Sequence, residues 1–138
     1  MIRISVLLAL LFMGCTNFQE GFIKNKKWRV VKETVKTWDK TGTSSSDKIK
    51  QHFDVMDELH FDDPDSLSVI SYGKPQRYSY KIEDSVLYYQ NPKAFYKTGK
   101  WGIIISTKDS LVLRHIENWG NDASLKVTTI IHFVPIKK

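Results

Sequence analysis

The strictest constraint on this chain is a row of alternating side chains: Tyr78, Tyr80 and Ile82 on one side, Arg77, Ser79, Lys81 and Glu83 on the other. Period two is the mark of a strand with one wet and one buried face. The same β-prone character recurs along most of the chain. It appears in Trp28–Trp38, in Asp54–Phe61 (which starts as a helical turn and passes into alternation at Leu59 and Phe61), in Leu67–Tyr72 and in Val86–Gln90. It continues in Trp101–Ser106, Leu111–Glu117 and Leu125–Val134. Gly73-Lys74-Pro75 punctuates the series, and Asp39–Lys50, rich in Gly, Ser and Thr, is expected to be a flexible loop. A turn pair recurs directly before a strand: Asp65-Ser66, Asp84-Ser85 and Asp109-Ser110. Asp and Ser hydrogen-bond their own backbone at turns, so the repeat marks a meander of hairpins. About eight sequential strands with no amphipathic helix between them imply a sandwich or an up-and-down barrel. A closed barrel also removes edge strands, which matters for a chain rich in Ile, Val and Tyr.

The first residues are of a different kind. Arg3 is followed by an apolar run, Ile4 to Met13, broken only by Ser5. The run is shorter than the roughly 20 residues that cross a bilayer. It has the length of a signal-peptide core, about 7–15 residues. Leu11-Phe12-Met13-Gly14-Cys15 resembles a lipobox, the cleavage and lipidation site of bacterial lipoproteins, with Phe12 where that pattern usually has Leu. Cys15 is the only cysteine, so the mature domain uses no thiol for a disulfide, a metal or a nucleophile. The resemblance implies a leader over residues 1–14 and a lipid-bearing Cys15. A polar tether over 15–26 then leads into a domain over 27–138. Thr16 stands where an aspartate would signal retention at the inner membrane, which implies the outer membrane as the address.

Loss of Arg3 with the leader leaves 20 Lys and Arg against 15 Asp and Glu, a net charge of +5. The lysines are spread out, densest at Lys24–Lys36, as on a solvated surface. A nucleic-acid partner conflicts with export.

The pattern from Lys26 to Pro135 resembles the lipocalin-like lipoproteins of Gram-negative bacteria. Its carriers are Lys27-Trp28-Arg29-Val30-Val31, Tyr78-Ser79-Tyr80-Lys81-Ile82 with its turn into Val86-Leu87, and Asp109-Ser110-Leu111-Val112-Leu113. Trp28 matches the barrel-closing tryptophan of the Gly-x-Trp motif, although Lys26 replaces the glycine. The resemblance implies an eight-stranded, lipocalin-like antiparallel barrel whose cavity holds an apolar small molecule.

Catalytic constellations are not visible. His52, His60, His115 and His132 are scattered singly, and His60 beside Asp62 and Asp63 is read as a strand end with a solvated acidic turn rather than a metal site. His115 and His132 alternate onto strand faces, surface or lumen, and receive no role. Glu58 and Glu117 lack an evident acid–base partner, no Gly-x-Ser-x-Gly elbow or phosphate loop is present, and the acidic run from Asp54 to Asp65 lacks EF-hand spacing. No enzyme, no cofactor and no metal are expected.

The aromatics carry more information. An eight-stranded barrel is just wide enough to be filled by side chains or to hold one small ligand. Tyr78, Tyr80 and Ile82, and likewise Trp101, Ile103 and Ile105, each line one face; with Tyr88 they are the candidate ligand-binding residues. The alternative is that these rings simply fill a core. Two functions stay open: a membrane-anchored binder of an apolar small molecule, and a protein-interaction module, either an accessory subunit or an inhibitor. The second would use loops such as Asn91–Gly99, with Phe95 and Tyr96, or the turn after Trp119. Lipidation at Cys15 predicts that cells fed labelled palmitate label the wild-type protein. Cys15→Ser is expected to lose the label and leave the membrane fraction; a Cys15→Ser protein that keeps both would sink the assignment.

Overall fold

Trp28 and Val30 alternate with Lys27 and Arg29 and begin the longest strand of the chain. A computed structural model describes residues 20–48, 56–90, 98–119 and 124–138, and among them places nine antiparallel strands in one sheet. They are β1 (Lys27–Asp39), β2 (Gly42–Lys48), β3 (Glu58–Asp63), β4 (Ser66–Ser71), β5 (Lys74–Glu83), β6 (Val86–Gln90), β7 (Thr98–Ser106), β8 (Leu111–Trp119) and β9 (Leu125–Pro135). The expected leader, Cys15, and the loop aromatics Phe95 and Tyr96 lie outside the described residues.

Eight of the strands close a barrel, as expected. From β3 to β9 each strand pairs with the next, and β1 joins both ends, pairing with β3 through Lys27–Arg29 and with β9 from Trp28 to Trp38. The ninth, β2, corrects the expectation of a flexible loop over Asp39–Lys50. It pairs with the far half of β1, Glu33 to Asp39, where β3 no longer reaches. Its sequence, Gly42-Thr-Ser-Ser-Ser-Asp-Lys48, has no apolar alternation because the strand is exposed over Gly42–Asp47. Polar bonds hold it instead. The Asp39 carboxylate accepts from the Thr41 and Gly42 amides at 2.7 and 3.1 Å, and the Thr34 hydroxyl donates to Asp47 at 2.7 Å. Those hydroxyl and amide donors, Thr41 first for Asp39 and Thr34 first for Asp47, hold both carboxyls below their ordinary range.

The Asp-Ser repeat proves to be architectural. All three pairs sit in the turns β3–β4, β5–β6 and β7–β8, so they cap the same end of the barrel, called the base here. Asp84 and Ser85 both have φ above +50°, the left-handed backbone that a two-residue hairpin needs. At the opposite end, the rim, Tyr72 and Gly73 play that part between β4 and β5. Lys74 and Pro75, expected in that turn, already belong to β5. Pro75 is tolerated there because only β4 flanks it, β6 first pairing at Ser79.

The base is packed shut. Trp28, Phe61, Leu67, Leu111 and Phe133 are each at most 1% exposed and form one cluster with Leu59, Leu87, Leu113 and Ile131. Ile23, in the segment expected to be tether, joins them at 1% exposure, after a 3₁₀ turn at Glu20–Phe22. Trp28 is 0% exposed in this cluster, and among the described residues its indole Nε1 finds no hydrogen-bond partner. Truncating so large a buried ring costs about 3–5 kcal/mol, whereas an orphaned buried donor itself costs about 1–3 kcal/mol. Trp28→Ala is therefore expected to lower the unfolding free energy by about 3–5 kcal/mol. Trp28→Phe should cost clearly less, since the ring refills most of the space and the orphan disappears. Urea unfolding of the two variants measures the difference, and equal losses would contradict it.

Candidate functional site

Along β8 the inward row runs Leu111, Leu113, His115, Glu117, from fully buried leucines to a histidine 30% exposed and a glutamate 47% exposed in their side chains. Register carries the same transition around the barrel. Leu113 faces Ile131, which faces Glu33; the next inward rung is His115, Thr129 and Val35. Glu33 reaches the inward row only because a bulge between Val30 and Lys32 shifts the phase of β1. The interior thus changes from apolar at the base to amphipathic at the rim.

Across β5 to β8 the boundary between the two zones is an aromatic belt. The Tyr78 hydroxyl donates to Gln76 Oε1 at 2.6 Å. The Tyr78 and Tyr89 rings meet edge to face, 5.0 Å between centroids, and Tyr89 shares a side-chain hydrogen bond with Trp101. Trp101 lies 5.1 Å from the His115 ring. His115 closes the row, with Nδ1 2.8 Å from the Lys100 carbonyl oxygen and Nε2 3.1 Å from Glu117 Oε1. Edge-to-face pairs of this kind add about 0.5–1.5 kcal/mol each beyond buried area, so the belt is a fixed surface rather than a set of loose rings. Gly99 makes room for it: a Cβ there would stand 2.0 Å from the Tyr89 ring. Below the belt Tyr80 packs edge to face on Phe61 at 5.1 Å.

Burial sets the acidity of the phenols. It raises Tyr78 and Tyr89, and it pushes Tyr80 up to about 12, with the negative charges of Glu20 and Asp65 adding to the effect. All three stay neutral hydroxyls at ordinary pH. Chemically the belt offers ring faces and, toward the rim, the Gln76 amide and the Glu117 carboxylate for a polar group, while His115 spends both ring nitrogens on Lys100 and Glu117.

The candidate residues separate by face. Tyr78, Tyr80, Trp101 and Ile103 point inward and are buried, and Ile82 is half-buried against the same cluster. Tyr78 and Trp101 belong to the belt. Two residues leave the expected row. Ile105 pairs with Val112 on the outer side, because a bulge between Ile103 and Ile105 turns Ser106 inward in its place. Tyr88 also points outward, between Lys81 and Lys100. The sequence reading left out Gln76, Tyr89, His115 and Glu117, although the unbroken alternation Leu111, Leu113, His115, Glu117 carries the signal for two of them. His132, by contrast, lies on the outer face beside Lys32 and Asp47. There burial, then the Lys32 charge, lower its pKa despite Asp47. His60 pairs with Glu58 at 2.6 Å. Among the described residues no three His, Cys, Asp or Glu side chains are grouped to hold a metal ion.

Comparison with protein-family models, with curated proteins and with solved structures finds no significant match for this chain.

The Tyr80 environment has a measurable consequence. Because its folded pKa of about 12 exceeds the ordinary 10, the unfolded chain loses the proton first. This contribution to stability is whole below about pH 10 and is lost as the pH rises toward 12. Urea midpoints between pH 9 and 12 are expected to fall more steeply for the wild type than for Tyr80→Phe; parallel curves would show that Tyr80 is not so perturbed.

Proposed function

We propose that this chain is a lipocalin-like envelope lipoprotein, anchored through Cys15 and outer-membrane in address, that binds an apolar small molecule with one polar end. The observation that carries the reading is the change of lining at the aromatic belt. The base is packed with apolar side chains, whereas toward the rim Gln76 and Glu117 join His115 of the belt on the inward face, beside the rings of Tyr78, Tyr89 and Trp101. Binding sites of this kind are mainly apolar with a few placed polar groups that fix orientation. A ligand's hydrocarbon part lies on the rings and on Val35 and Val127, and its polar end meets Gln76 or Glu117. No step of chemistry is assigned to these groups; they orient and bind.

A second reading keeps the same anchor but uses the barrel as an interaction module. The packing of the base favours it, since a filled core needs no ligand to be stable.

Native mass spectrometry of the full chain carrying Cys15→Ser, incubated with fatty acids and isoprenoids, separates the two. The binder is expected to carry a discrete added mass that organic extraction removes. Gln76→Ala should weaken binding of a carboxylate-ended ligand about tenfold, the loss of roughly one charge-assisted hydrogen bond from its side-chain amide. A bare polypeptide with every ligand tried would overturn the binder and leave the interaction module.

A further inference from the structure

The outward face of β5–β8 differs from the rest of the surface. Its central rung sets Lys81, Tyr88 and Lys100 side by side on three adjacent strands. The two ammonium groups stand 5.3 and 5.8 Å from the centre of the Tyr88 ring. Around them lies a hollow of about 480 Å³ with Ser79 and Gln90 at its other edge and the backbone of the inward rung as its floor. Arg114 continues the face on β8 opposite Gly102, whose missing side chain keeps the surface flat. Ile104 and Ile116, 39% and 43% exposed, are two of the three most exposed large apolar residues among those described. Among the described residues of these strands the carboxylate on this face is Glu83, which Lys81 pairs with at 2.9 Å. The acidic side chains Glu58 and Asp62 lie on β3, across the barrel, and Asp47 on β2.

Cations, a tyrosine and exposed isoleucines on one face have the chemistry of a bilayer interface. Ammonium and guanidinium groups pair with phosphate oxygens, tyrosine sits at headgroup depth, and isoleucine enters the acyl boundary. The geometry points to this face as a docking surface for an anionic lipid bilayer, with a headgroup phosphate seated over Tyr88 between Lys81 and Lys100. The inference goes beyond the rim reading and is independent of it, because it uses the opposite face of the same strands. It means that a lipid tail and a protein face together hold the barrel in one orientation.

The test is co-sedimentation of the full chain carrying Cys15→Ser, so that no acyl chain contributes, with phosphatidylcholine vesicles with or without a third of phosphatidylglycerol. Binding is expected only to the anionic vesicles, and it should weaken steeply as salt approaches about 1 M, where the screening length is about 3 Å. Lys100→Gln with Arg114→Gln is expected to weaken it about fivefold per cation removed. Lys27→Gln with Lys36→Gln, the same charge change on β1, should leave it unchanged. Equal binding to neutral vesicles, no binding to either, or equal losses in both double variants would each overturn the proposal. Release by millimolar inorganic phosphate would also overturn it, by showing a site for the free ion. Amide shifts of the unmutated face on adding anionic nanodiscs give a readout independent of any variant's stability; they must fall on β5–β8.

Discussion

Everything in this barrel depends on β1 reaching both ends of the sheet. A meander from β3 to β9 would be an open, strongly twisted sheet with two bare edges, and a chain so rich in Ile, Val and Tyr would expose both to aggregation. β1 removes that hazard by pairing along almost its whole length with β9 while its first residues take up β3. Its length creates a second problem, since beyond Arg29 one edge has no partner in the barrel. The β2 hairpin covers that edge from Glu33 to Asp39 with a polar strand.

The bulge in β1 ties this closure to the site. Without the extra residue between Val30 and Lys32, the inward row would keep its phase. Lys32 would then face Ile131, Thr34 would face Thr129 and Lys36 would face Val127, so two lysines would point into the interior. The shift instead puts Lys32 outside with Asp47, at 3.0 Å, and Val35 inside on the His115 rung. A similar bulge in β7 turns Ile105 out and Ser106 in beside Leu111. These two irregularities set where the apolar interior stops and the amphipathic rim starts. The belt of Tyr78, Tyr89, Trp101 and His115 lies at that boundary because its members are large enough to span a barrel that side chains otherwise fill.

The two faces of β5–β8 then divide the work of one set of strands. Strict alternation gives Tyr78, Tyr80, Tyr89 and Trp101 to the interior and Lys81, Tyr88 and Lys100 to the exterior. A one-residue slip in any of these strands would exchange the two sets. The hairpin turns guard against such a slip: Asp84 and Ser85 fix the β5–β6 register through a backbone that only one loop length satisfies.

The sequence by itself determined what is local. Period two at Tyr78–Ile82, the absence of helical spacing and the Asp-Ser turns implied an all-β chain of about eight strands, sandwich or barrel, and the family resemblance narrowed this to the barrel. Trp28 was singled out only by its place in a resemblance to the lipocalin motif; its burial is what the structure adds. The apolar half of the interior was legible from the alternation. Tertiary structure decided what depends on neighbours. A polar segment such as Gly42–Lys48 shows no alternation when both its faces are wet, so only β1 makes it a strand. Phase shifts at bulges leave no mark in composition, so Ile105 could not be told from Ile103. His115 joined the belt only when β7 and β8 came together, because a single histidine on a strand has no address until the strand has a register.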